Sequence, residues 1–109
     1  MNQDSPPQPQ AASAPGAAGG VEIARTATIV NQKGLHARAA ARFVKLAATF
    51  DAAVTVTKRD STVSGVSIMG LMMLAASPGC QIQIRATGRD AERAADALAA
   101  LVAAGFDES

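Results

Sequence analysis

Beyond residue 20, Val21, Ile23, Ala27 and Ile29 fall on alternate positions, with Glu22, Thr26 and Thr28 between them. A period of two over residues 21–30 predicts a strand with one polar face. Asn31-Gln32-Lys33-Gly34 is loop chemistry, after which the period changes. Over residues 37–50, Ala40, Phe43, Val44, Ala47 and Phe50 recur at helical spacing, while Arg38, Arg42, Lys45 and Thr49 follow steps of four, three and four on the opposite face. This is an amphipathic helix with a narrow basic stripe. Residues 54–57 and 62–66 are two short β-prone runs separated by Lys58-Arg59-Asp60-Ser61, a pattern that predicts an antiparallel hairpin. Ser67 precedes the nearly continuous apolar run 68–74, read as a short helix with Ser67 as its N-cap and Ser77-Pro78-Gly79 as its stop. Residues 81–87 alternate strictly and form the clearest strand. A final helix follows, with Asp90 as N-cap, Glu92 in the positive first turn, and Ala94, Leu98, Leu101 and Val102 on the buried side. Gly105 fits the left-handed position after that helix, letting Phe106 pack back on Leu101. The order is β-α-β-β-α-β-α, an α+β arrangement in which helices cover one face of an antiparallel sheet and water the other.

Composition limits where this pattern can apply. Of the 109 residues, 49% are apolar, but about half of these are alanine, which brings little area to a core. Residues 1–20 hold four of the five prolines and no Val, Ile, Leu or Phe, so they are expected to form a disordered Ala/Pro/Gly/Gln-rich tail. Residues 21–109 suffice for one small domain and not for two. No apolar run is long enough to span a membrane, and the N-terminus lacks the basic start and apolar segment of a secretory signal.

Charge and residue inventory exclude several functions. The net charge is +1, and the folded part carries ten basic against eight acidic residues, too even for wholesale attraction to nucleic acid. With no Trp or Tyr and three Phe, stacking platforms for single strands are scarce. Cys80 is the only cysteine, which rules out an internal disulfide, fits a cytoplasmic location, and with one histidine leaves a zinc site short of ligands. No metal or cofactor is expected, and Cys80 is read as a small, partly buried residue without a function of its own.

The chemistry concentrates at His36, at the junction of loop and first helix. The first N–H groups of a helix lack internal partners and carry the positive end of its dipole, so an anion there finds donors waiting. Arg38 adds a guanidinium suited to a phosphate or carboxylate. A neutral imidazole is a competent nucleophile, and phosphoryl transfer asks mainly for positioning and charge stabilisation. The positive field at the helix start should favour that neutral form. Equally, a lone histidine in this position can be a plain N-cap or loop residue.

Gly34-Leu35-His36-Ala37-Arg38-Ala39-Ala40 resembles the phosphorylation-site signature of HPr, the phosphocarrier of the phosphoenolpyruvate-dependent phosphotransferase system (PTS). Ser67-Ile68-Met69-Gly70-Leu71-Met72 resembles the family's second segment, and residues 82–90 its last strand and the start of its last helix. The similarity runs from about residue 22 to 105 in the family's order. It implies an HPr-like open-faced sandwich, a four-stranded antiparallel sheet with three helices on one face. It also implies a monomeric, stoichiometric carrier and not an enzyme, in which His36 accepts a phosphoryl group through Nδ1 from phosphorylated enzyme I and donates it to a histidine of an EIIA domain, with Arg38 stabilising the group in transit. Where the family usually has proline, this chain has Ala39. The rival reading is a small α/β ligand-binding or regulatory interaction domain that keeps the fold without the relay.

By the same resemblance, Ser67 is the residue that HPr kinase/phosphorylase modifies, although an N-cap serine needs no further role. The run Ile68, Met69, Leu71, Met72, Met73 and Leu74 is too apolar for one short helix to bury on one side. Ile68, Met69, Leu71 and Met72 are expected to leave a docking surface for enzyme I and EIIA, with Arg42 and Lys45 beside it as basic partners to acidic surfaces.

Overall fold

The alternating segments become four strands in a computed structural model that describes residues 21–108: β1 (Ile23–Thr28), β2 (Ala53–Lys58), β3 (Ser61–Ser64) and β4 (Gln81–Thr87). The expected disordered tail over residues 1–20 lies outside the described residues. The strands form one antiparallel sheet in the order β1-β4-β2-β3. Helices α1 (Ala37–Ala47), α2 (Ile68–Met73) and α3 (Ala91–Ala103) lie on one face, and a short turn of 3₁₀ helix, Gly105–Asp107, follows α3. Among the described residues no helix is long and apolar enough to cross a membrane.

Register explains why the sheet has one dry face. Ile23 and Val54 both pair with Ala86, Ala27 pairs with Ile82, and Val56 with Ile84, so the apolar positions of the three longer strands coincide. The other face carries the row Thr26, Gln83 and Thr57, in which Thr57 also meets the Thr62 hydroxyl at 2.8 Å. Helices press on the dry face with Phe43, Leu71, Leu98 and Val102, all fully buried. Ala39, Ala40, Ala94 and Ala95 are fully buried too. Small side chains at these positions let a core with few large residues close without leaving its helices exposed to water on the inner side.

Several boundaries differ from the pattern. β1 is shorter than residues 21–30 because Val21 and Val30 stay exposed and Ile29 bonds outside the regular ladder, to Cys80 O and Gly79 N–H, each at 2.8 Å. α1 ends at Ala47, where Thr49 N–H and hydroxyl both turn back to Leu46 O and tighten the chain. β3 stops at Ser64 because Gly65 lies against β2: a Cβ there would be 2.5 Å from Val54 Cγ1. Asp90 occupies the N-cap position of α3 without capping it. Its carboxylate instead accepts the Asp51 N–H at 2.8 Å and faces Arg93 Nη1 at 3.3 Å. Gly105 has the expected positive φ of 67°, and Phe106 behind it is fully buried, whereas Leu101 is only half-buried.

Candidate functional site at the entrance of helix α1

The loop that delivers His36 is held from behind. Gly34 has φ +65°, and a Cβ there would be 2.3 Å from Ala76 O, so glycine alone fits both the backbone and the space. Next to it Leu35 is buried and donates its N–H to Ala76 O at 2.9 Å. His36 then adopts an extended backbone as the N-cap of α1, its carbonyl accepting Ala40 N–H at 2.9 Å. Its Nδ1 accepts the Arg38 N–H at 3.3 Å, a long and therefore weak bond that leaves this nitrogen at the helix start. One residue is thus both the cap and the candidate nucleophile, and the two sequence readings of His36 coincide.

Nε2, on the other side of the ring, bonds the Glu108 carboxylate. The Asn31 amide donates to Glu108 Oε1 at 3.0 Å and to Gly34 O at 2.8 Å, tying the C-terminal segment to the loop. These bonds hold the Glu108 carboxyl below its ordinary pKa, the Asn31 amide contributing most and the imidazole next. Arg42 Nη1 donates to Phe106 O, a second tie on the same segment. Asn31, Lys33, His36, Arg38, Arg42 and Glu108 line a half-open cleft of about 500 Å³.

The expected residues are thereby sorted. His36, Arg38 and Arg42 share one cleft, and Arg42 also has a structural bond there that the basic stripe did not foretell. Lys45 is exposed and lines, with Leu46, Thr49 and Leu101, an adjoining groove between α1 and α3 that shares Arg42 and Asp107 with the cleft. Ser67 caps α2, its hydroxyl accepting Gly70 N–H at 2.9 Å. α2 packs beside α1 and exposes Ile68, Met69, Met72 and Met73, the last by 78%. Leu71 corrects the expected docking set: it is fully buried, since with Leu74 it forms the i, i+3 row that faces the core. Met73 takes its place on the surface. Asn31 and Glu108 had no sequence signal, one standing in an ordinary loop and the other near the chain end. Cys80 is half-buried, its thiol pKa lowered chiefly by a hydrogen bond from Ser77.

An open-faced sandwich presenting a histidine and an arginine at a helix start defines a class of small carrier built around one half-buried imidazole. The family model described as the PTS HPr component phosphorylation site matches residues 23–104. Phosphocarrier protein NPr of Shewanella violacea is 43% identical over 88 residues, covering 81% of this chain and 97% of that protein. Phosphocarrier protein HPr of Neisseria meningitidis serogroup A is 49% identical over 80 residues, 73% of this chain and 90% of that protein. The crystal structure of HPr-C-His from Thermoanaerobacter tengcongensis superposes with a TM-score of 0.76 at 40% identity, covering 80% of this chain and 98% of that one. The chain belongs to the HPr family of PTS phosphocarriers, whose members hand on a phosphoryl group and do not turn over a substrate.

Proposed function

We propose that His36 is the residue on which this carrier holds its phosphoryl group, between phosphorylated enzyme I and an EIIA-type acceptor. One observation carries the reading: His36 Nδ1 lies at the N-terminus of α1, where Arg38 N–H reaches it and the Arg38 and Arg42 side chains line the same cleft. The Nδ1 electron pair attacks the phosphorus of the donor phosphohistidine, and a new P–N bond forms as the old one breaks, its pair returning to the donor imidazole. Onward transfer reverses the roles, with the electron pair returning to Nδ1. The orphan N–H groups of the first turn and the two guanidiniums meet the phosphoryl oxygens, so the chain supplies charge stabilisation and position. Incubation with enzyme I and labelled phosphoenolpyruvate should place one acid-labile phosphate on the protein and none on His36→Ala. Label that persists in His36→Ala would defeat the assignment.

Docking falls to Ile68, Met69, Met72 and Met73 on α2, whose flexible side chains fit more than one partner. Ser67 is the regulatory position. Its hydroxyl already faces a first-turn N–H, so a phosphate there keeps a favourable electrostatic site while putting negative charge beside the methionines. HPr kinase/phosphorylase with ATP should label the wild type and leave Ser67→Ala unlabelled. We take the carrier to act as a monomer.

A further inference from the structure

Two residues that no motif marked converge on the far side of the His36 ring. Asn31 is 7% exposed, and Glu108 comes from 72 positions away in the chain. A carboxylate is an acceptor only, so the His36 nitrogen that faces it must carry the proton. The other nitrogen faces the Arg38 N–H, a donor, and must offer its electron pair. Two neighbours thus allow one neutral tautomer, with hydrogen on Nε2 and the lone pair on Nδ1. Glu108 is itself fixed: Asn31 spends one N–H on Glu108 Oε1 at 3.0 Å and the other on Gly34 O at 2.8 Å, in the loop that delivers His36. Both groups are acceptors, which fixes the amide with its nitrogen toward them, and the Asn31 oxygen is buried without a partner among the described residues.

We propose that Asn31 and Glu108 are positioning residues for phosphoryl transfer, Asn31 orienting the Glu108 carboxylate and that carboxylate holding the proton on His36 Nε2 so that Nδ1 is the nucleophile. The inference rests on the His36 reading and deepens it. When Nδ1 attacks phosphorus the ring becomes a phosphoimidazolium, and its positive charge spreads to Nε2, against the carboxylate. The bond to Glu108 is therefore stronger after attack than before it, which is the condition for an interaction to accelerate the chemical step. The proton stays on Nε2 throughout, and no proton need be lost to solvent.

The test uses the full chain and its variants Glu108→Gln and Asn31→Asp. Glutamine keeps shape and removes charge. Aspartate removes the donor to Glu108 and sets a like charge beside it. Long-range proton–nitrogen NMR of the His36 ring should show hydrogen on Nε2 in the wild type, with a downfield ring N–H resonance that moves upfield in Glu108→Gln and is lost to exchange in Asn31→Asp. Phosphoryl acceptance from phosphorylated enzyme I should fall roughly tenfold or more in kcat for both variants, the scale of exchanging a charge-assisted for a neutral hydrogen bond at the transition state, while the KM for the carrier stays within about twofold. Circular dichroism of each variant secures that the fold persists. A ring proton on Nδ1 in the wild type, or full transfer rates in a folded Glu108→Gln, would overturn the positioning role. Absence of label on the wild-type histidine would instead overturn the His36 reading, and the NMR arm decides the tautomer independently of it.

Discussion

At the scale of single residues, the first turn of α1 is crowded with duties. His36 must cap the helix and keep Nδ1 open, and both are met because the capping bond from Arg38 N–H is a long 3.3 Å. Ala39, where the family usually has proline, is fully buried in that turn. The first intrahelical N–H bond belongs to Ala40, so proline at Ala39 would sacrifice no helix bond. Ala39→Pro should then act through the unfolded chain, stabilising by about 0.4–1 kcal/mol and raising the melting midpoint by a few degrees, with phosphoryl acceptance retained. Thermal melts of the two proteins read this directly. A lower midpoint would mean that the ring collides with the core around this buried position.

At the scale of elements, α2 divides its six residues between two tasks. Leu71 faces the core and Met69 and Met73 face water, which makes adjacent substitutions separable. Leu71→Ala should cost about 2–5 kcal/mol in denaturant unfolding. Met69→Ala and Met73→Ala should cost less than about 0.5 kcal/mol yet raise the KM for enzyme I. Equal loss of stability in all three would dissolve the distinction between core row and docking row. The apolar run showed from sequence that a helix forms here, but not which side faces inward, because nearly every position is apolar. Strands were more legible: alternation in residues 81–87 named the buried set Ile82, Ile84 and Ala86, since a sheet with one wet face imposes that period. His36 and Gly105 could be placed because their signals are local, a loop-to-helix change and a left-handed helix exit. Asp90 could not, because its preferred partner, the Asp51 N–H, lies 39 positions away. Asn31 and Glu108 stayed hidden for the same reason, as their bond joins residues 77 positions apart.

At the scale of the molecule, a net charge of +1 conceals a sorted surface. Arg25 pairs with Asp96 at 2.8 Å, Arg93 with Asp90 at 3.3 Å, and Arg85 and Arg89 with Glu22 and Asp51 at 3.6 Å each. Among the described residues, Lys33, Arg38, Arg42, Lys45, Lys58 and Arg59 have no such carboxylate partner. The first three line the His36 cleft, Lys45 follows on α1, and Lys58 and Arg59 line another cleft beside Cys80. Half of the unpaired cations therefore stand around the imidazole, where they would attract an acidic partner and the phosphate it carries. Because the charges are exposed, ions in solution weaken their reach, from a Debye length of about 10 Å at 0.1 M salt to about 3 Å at 1 M. Raising salt should slow phosphoryl acceptance at low carrier concentration several-fold, as a rise in KM with kcat held. Lys33→Gln with Lys45→Gln should flatten that dependence, whereas Arg89→Gln, which removes an already paired cation, should leave it unchanged. A rate insensitive to salt in the wild type would remove electrostatic steering from the account and leave recognition to the methionine face of α2.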